Sequence, residues 1–157
     1  MTPSAPYRIG IDIGGTKTEV VLLAPEGRPR LRERVPTPRR HTREYEAILE
    51  NTVRMAEQAL GQTPRHEGTI GICIPGIIDA GTGSVINANI TSLIDKSFQQ
   101  DIARQLGRPV AMENDADCFT LAESLQGAGQ GFAMVFGIIL GTGVGGGLCF
   151  NGRLYRG

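Results

Sequence analysis

Tyr7-Arg-Ile-Gly-Ile-Asp-Ile-Gly-Gly-Thr-Lys-Thr-Glu-Val-Val-Leu-Leu23 is the stretch on which the fold turns. Its apolar ends predict two short strands, Tyr7 to Ile13 and Glu19 to Leu23, and the glycine-containing turn between them makes a hairpin. Successive glycines let several backbone N–H groups point at one anion, because no Cβ blocks the approach. Thr16 adds a hydroxyl and Lys17 a positive charge. Asp12 cannot itself bind a phosphate, but its oxygens suit Mg2+ or the waters around it. An ordinary hairpin turn with Asp12 capping backbone fits the hexapeptide Asp12–Lys17 equally well. A Walker loop does not fit: the spacing G-x-x-x-x-G-K-[ST] is absent and a strand follows instead of a helix.

Outward from this hairpin, Pro25-Glu-Gly27 predicts a turn and Leu31 to Val35 an alternating strand suited to a sheet edge. Arg43 to Leu60 predicts a helix. Tyr45, Ile48, Leu49, Thr52, Val53, Ala56, Ala59 and Leu60 fall on one stripe at three- and four-residue steps, with Gly61 and Pro64 as the stop. Thr69 to Ile74 predicts a strand broken by Pro75-Gly76, and Ile77 to Asn89 a short hairpin among glycine turns. Ser97 to Leu106 is a second helix closed by Gly107 and Pro109. Val110 to Met112 is a strand, and Asp115 to Leu125 a third helix whose first-turn aspartates suit the helix dipole. Ala133 to Leu140 and Gly146 to Phe150 predict a last hairpin. Helices that alternate with strands after an opening meander argue for an α/β sheet of mixed direction.

Composition narrows the function. The 157 residues suffice for one compact domain or one lobe of a larger enzyme. Sixteen basic and sixteen acidic residues cancel, which argues against a nucleic-acid partner. The one basic stretch, Arg28 to Arg43, is broken by Glu26, Glu33 and three prolines, and fits a solvated strand edge. Glycine supplies 22 residues, twice the ordinary share of ~7%, and it clusters in turns. Cys73, Cys118 and Cys149 are far apart in apolar segments, as expected of small buried thiols in a reducing, cytoplasmic setting, and no CxxC or Cys/His pair offers a metal site. His41 and His66 stand in polar stretches and are expected at the surface. The first six residues lack the pattern of a signal peptide, and the longest apolar run, Phe132 to Leu140, is too short to span a bilayer.

Three further segments carry chemistry. Gly141-Thr-Gly-Val-Gly-Gly146 matches G-x-G-x-x-G after a strand, but a dinucleotide-binding unit needs a helix next, and here Leu148-Cys-Phe150 and an Asn-Gly turn follow. A hairpin phosphate loop fits better, with Thr142 as a donor. A helix after Gly147 would revive an NAD-dependent dehydrogenase, and a strand would end that reading. Asp115 stands where a strand hands over to a helix, the edge at which open α/β sheets bind ligands, and a carboxylate there can take the proton of an attacking hydroxyl. Helix capping by Asn114 or Asp115 is the plainer reading, and Asn114 capping is compatible with Asp115 acting. Asn87-Ala-Asn89 places two amides on the same face if the segment is a strand, where they would suit vicinal hydroxyls; Asn-x-Asn is more often a turn.

Asp12-Ile-Gly-Gly-Thr-Lys17, Gly71-Ile-Cys-Ile-Pro-Gly76, Glu113-Asn-Asp-Ala-Asp117 and Leu140-Gly-Thr-Gly-Val-Gly-Gly-Gly147 occur in this order. Together they resemble the ROK family of sugar kinases and repressors, within the actin-like ATPase (ribonuclease H-like) fold, with the nearest likeness to bacterial fructokinase and N-acetylglucosamine kinase. The resemblance runs from Arg8 to Gly157. It implies an α/β lobe with a mixed five-stranded sheet and flanking helices over residues 1–117. The opening hairpin of a second lobe, cut short, would occupy 118–157.

The resemblance also implies roles. Asp12, Gly14, Gly15, Thr16 and Lys17 would form one phosphate loop, and Gly141, Thr142, Gly143, Gly145, Gly146 and Gly147 a second. Asp115 would be the catalytic base. Gly76 (beside Pro75), Asn87, Asn89, Asn114 and Asp115 would contact the sugar. MgATP and a hexose are the implied partners, with no nucleic acid and no membrane, and a second copy of the chain is left open. The implied reaction is fructokinase-like transfer of the γ-phosphoryl group to the sugar 6-hydroxyl. N-acetylglucosamine kinase and a non-catalytic sugar-sensing regulator are the alternatives. Only six residues precede Tyr7, too few for the helix-turn-helix of the family's repressors, which favours a kinase. Family members run to twice this length, so the zinc site, the remaining sugar contacts and the adenosine-binding segment would lie past Gly157. The chain alone is accordingly expected to lack useful kinase activity.

Overall fold

The computed structural model describes residues 6–39, 42–141 and 143–156. Two compact units divide the chain, Met1–Met112 and Glu113–Gly157. In the first, β1 (Arg8–Ile13), β2 (Lys17–Leu23) and β3 (Pro29–Pro36) form an antiparallel meander. α1 (Glu44–Leu60) follows, and then β4 (Thr69–Ile74), which lies parallel to β1. β5 (Ile77–Ile78) and β6 (Val85–Ile86) pair as a two-stranded ribbon. α2 (Phe98–Leu106) precedes β7 (Ala111–Asn114). The strands line up as β3-β2-β1-β4-β7, the mixed five-stranded sheet that the sequence implied.

Strand periodicity explains the core. Ile9, Ile11 and Ile13 point to one face of β1 and are buried, as are Val20 and Leu22 of β2 and Ile70, Ile72 and Ile74 of β4. Against them α1 brings Ile48, Leu49, Val53, Ala56 and Leu60. Met55 is buried too, one position outside the expected stripe. Each such aliphatic side chain, once buried, is worth about 1.5–3 kcal/mol. α2 ends at Gly107, whose φ of +63° lets the Arg108 N–H reach the Ala103 carbonyl at 3.2 Å. At the outer strand, Arg32 and Arg34 of β3 reach across to Glu19 of β2. Burial would raise the Glu19 carboxyl, but the two guanidinium hydrogen bonds outweigh it and hold it below its ordinary range. The basic stretch is thus a charged sheet edge, which discourages pairing with another strand. His66 is exposed, and His41 lies outside the described residues.

The second unit holds α3 (Asp115–Gln126), β8 (Met134–Leu140), β9 (Val144–Phe150) and β10 (Arg153–Leu154), with the antiparallel order β10-β9-β8. The inner face of α3 is a ridge of small side chains, Ala116, Thr120 and Ser124, at four-residue steps. It rests on the hairpin where Gly137 and Gly147 face each other. A Cβ on Gly147 would stand 2.5 Å from Thr120 Oγ1 and 2.7 Å from the Ala116 carbonyl, and one on Gly137 would run into the same threonine. The opposite face of the hairpin carries Met134, Phe136, Ile138 and Leu140 with Val144 and Phe150, all exposed. β9 starts at Val144, two residues before the predicted strand, so Gly145 belongs to the strand as well.

Candidate active site

The first glycine turn is fixed from behind. The Gly14 N–H donates to the Lys17 carbonyl at 2.9 Å and closes it. Thr37, just past β3, holds it twice: its N–H donates to the Thr16 carbonyl at 2.9 Å and its hydroxyl to the Gly14 carbonyl at 2.7 Å. A hydroxyl carries one proton, so in the 2.9 Å contact between the two threonine hydroxyls Thr18 is the donor and Thr37 the acceptor. Both threonines are buried. The Gly14, Thr16 and Lys17 carbonyls are therefore occupied, while the residues Gly15, Thr16 and Lys17 are exposed. Space above Gly15 is open as well: the nearest atom to a Cβ placed there is Nη1 of Arg39, at 3.8 Å. Neither Thr37 nor Arg39 was singled out from sequence. The one available signal was a threonine between two prolines, Pro36-Thr-Pro38.

Because β4 runs parallel to β1, with Asp12 opposite Cys73, Pro75-Gly76 leaves the sheet at the same edge as Gly14-Gly15. The Asn87–Asn89 segment lies against it. The Asn89 N–H donates to the Pro75 carbonyl at 2.9 Å, and a Cβ on Gly76 would come within 2.7 Å of the Ala88 Cβ. Gly76, Asn87 and Asn89 are thus brought together. Of the strand and turn readings of Asn87, the turn holds: its φ is +50°, the left-handed region that asparagine tolerates, so the two amides do not share a strand face. Ala88 and Ile90 are buried and anchor the segment, and both asparagines are exposed.

β7 runs straight into α3. Asn114 is the last strand residue and also the helix cap, its side-chain oxygen accepting from Ala116 N–H at 2.9 Å and Asp117 N–H at 3.3 Å. Asp115 is half-buried, and its Oδ1 accepts from Ala116 N–H at 2.8 Å. Next to it Glu113 is ion-paired with Arg156. Burial pushes the Asp117 carboxyl up, the Glu113 and Asp115 charges push the same way, and Arg156 opposes them. Burial likewise raises the Cys149 thiol, with Asp117 adding to it.

The second glycine segment is placed differently from the loop expected of it. Gly145, Gly146 and Gly147 are strand residues opposite Ile139, Ile138 and Gly137. The strand pairing ends at Leu140 and Val144, and the Gly141 N–H donates to the Gly143 carbonyl at 2.9 Å; Thr142 lies outside the described residues. Strands follow Gly147, not a helix, so the dinucleotide-binding reading falls.

Among the described residues no group of three or more His, Cys, Asp or Glu side chains is arranged to hold a metal ion. Asp12 is exposed near the end of β1, beside the first turn, where one carboxylate would suit a Mg2+ that keeps most of its waters. No described helix is long and apolar enough to cross a membrane.

The sequence profile of the ROK family matches residues 8–157. The chain belongs to the ROK family. Within it, the chain is 40% identical over 148 residues to the N-acetylgalactosamine kinase AgaK of Shewanella sp. (strain ANA-3), covering 94% of this chain and 46% of that protein. It is 40% identical over 150 residues to the N-acetyl-D-glucosamine kinase of Pasteurella multocida (strain Pm70), covering 96% and 48%. Among solved structures, a ROK family glucokinase from Streptomyces griseus in complex with glucose and AMPPNP superimposes with a TM-score of 0.82 at 32% identity, over 96% of this chain and 46% of that one. This ROK chain therefore spans about half the length of the relatives it matches. None of the three is a fructokinase, so the fructose branch expected from sequence gains no support from them.

Proposed function

We propose that this chain serves ATP-dependent phosphorylation of a hexose at its 6-hydroxyl, with an N-acetylhexosamine favoured over fructose as the acceptor. The observation that carries this reading is the setting of Asp115. It is a half-buried carboxylate at a strand-to-helix handover, with one oxygen held by a backbone N–H, in a chain of a family whose named relatives here are sugar kinases. Asp115 takes the proton of the sugar hydroxyl as that oxygen attacks. Asn114 orients Asp115 by capping α3. Gly76, Asn87 and Asn89 present backbone and amide groups to the sugar. The N–H side of the first turn, with Thr16 and Lys17, receives phosphate oxygens, and Gly143 does the same at the second turn. Magnesium-bound ATP, when present, supplies the phosphoryl group and shields its charge. Positioning and charge neutralisation carry most of the acceleration in such transfers. A cytoplasmic setting is supported by the need for ATP and by the three free cysteines.

The test is ADP release by the complete gene product with MgATP and a panel of N-acetylglucosamine, N-acetylgalactosamine, glucose, mannose and fructose. Turnover with the N-acetylhexosamines is expected. Asp115→Asn should slow it by about 10²–10⁴, the usual worth of a positioned base, with the sugar still bound. Near-normal turnover of that variant would rule out the assignment. Sugar binding by the wild type without ADP release would favour a non-catalytic sensor.

A further inference from the structure

The segment between β3 and α1 does more than support the first glycine turn. Arg39 follows Thr37 by two residues and lies on the open side of the turn, with Nη1 3.8 Å from the Cβ position of Gly15. Its guanidinium is held from the other side. Nε is 3.1 Å from Glu44 Oε1 in the first turn of α1, and the same carboxylate oxygen accepts the Ser92 hydroxyl at 2.9 Å. Nε is buried yet makes no hydrogen bond, so the contact with Glu44 is close but misaligned. A guanidinium is planar, always charged and carries donors on two edges. Here one edge is turned towards Glu44 and Nη1 towards Gly15. An anion seated over Gly15 would meet the guanidinium there, and arginine is the side chain best matched to phosphate oxygens.

We propose that Arg39 is a further phosphate-binding residue of the first glycine turn, contacting the terminal phosphates of a nucleoside triphosphate, and that Glu44 is its positioning residue. This rests on the kinase reading above for the identity of the ligand. Ser92 lies three residues beyond Asn89 in the proposed sugar-contacting segment, so the Glu44 carboxylate ties the arginine on the phosphate turn to the chain that carries the sugar amides. Lys17 is a flexible point charge by comparison, whereas Arg39 is pre-aimed.

The experiment uses the complete gene product with Arg39→Gln, Arg39→Lys and Glu44→Gln, each checked by thermal melting. Calorimetry with inorganic tripolyphosphate, without sugar or turnover, is the first arm. Arg39→Gln is expected to weaken binding about tenfold to a hundredfold, the range of one or two lost charge-assisted hydrogen bonds. Arg39→Lys should recover part of that loss, and Glu44→Gln should lose less than Arg39→Gln. The second arm is steady-state kinetics. The KM for ATP should rise with Arg39→Gln while the KM for sugar stays within about twofold of wild type, a split that general loosening of the fold does not produce. Equal tripolyphosphate affinity in folded wild type and Arg39→Gln, no tripolyphosphate binding by the wild type, or equal changes in both KM values would overturn the proposal. A wild type that binds tripolyphosphate through Arg39 but releases no ADP with any sugar would uphold Arg39 and sink the kinase reading.

Discussion

Two glycine-rich segments with similar sequences use their glycines for opposite purposes. In Asp12–Lys17 the carbonyls are tied back by Thr37 and by the turn itself, and the space over Gly15 is open but for one arginine. In the segment 141–147 the last three glycines are paired in a strand, and Gly147 is covered by α3, with Thr120 and the Ala116 backbone where a side chain would be. The first segment leaves room for a ligand. The second leaves room for a helix. A glycine count cannot separate the two cases; what occupies the missing Cβ position does.

The largest effect that would break this comparison is on stability. Gly147→Val forces a branched side chain into Thr120 and the α3 backbone, and should destabilise the protein by about 3 kcal/mol, at the upper end of overpacking costs, as read by urea denaturation. A loss below about 0.5 kcal/mol, the scale of a neutral surface change, would show that α3 does not rest there. Next in size is Thr37→Val, which leaves the Gly14 carbonyl and the Thr18 hydroxyl without their partner. A loss of about 1–3 kcal/mol is expected, together with weaker nucleotide binding. Unchanged stability would mean that the turn is held without it.

Smallest is Asp117→Asn. The folded-state pKa of Asp117 lies above its ordinary 3.8, so the folded chain holds that proton more tightly than the unfolded chain does. The resulting penalty is absent below pH 3.8, grows as pH rises through the folded pKa and is complete above it. Asparagine should therefore raise the melting temperature slightly at neutral pH, with the gain fading as pH falls towards 3.8. A gain that grows on acidification would reverse the sign of this account.

Much of the fold was legible because local pattern and tertiary role agreed. The α1 stripe, the stop at Gly61 and the alternation Ile9, Ile11, Ile13 each encode a buried face within a few residues of chain. The strand was expected to begin at Gly146 and begins at Val144, because glycine favours turns and only the small ridge of α3, some twenty-five residues earlier in the sequence, makes Gly145 a strand residue. Asn87-Ala-Asn89 left strand and turn both open, and the left-handed backbone of Asn87 decides for the turn. Thr37 and Arg39 were missed for the same reason as the glycine strand. Thr37 bonds Gly14 across twenty-three positions, and Arg39 reaches Gly15 over a similar separation. The candidate base stood out because a strand, an asparagine cap and an acidic first helical turn are consecutive in the sequence.

The most direct test of the central claim, that the Asp12–Lys17 turn holds the donor's phosphates, is nucleotide binding by Gly15→Ala. A methyl group there meets nothing closer than 3.8 Å, so the melting temperature should stay within the scatter of neutral surface changes. It would nonetheless stand where an anion must approach the backbone. The account predicts that MgATP affinity falls about tenfold or more in a protein of wild-type stability. Wild-type MgATP affinity in that variant would contradict it.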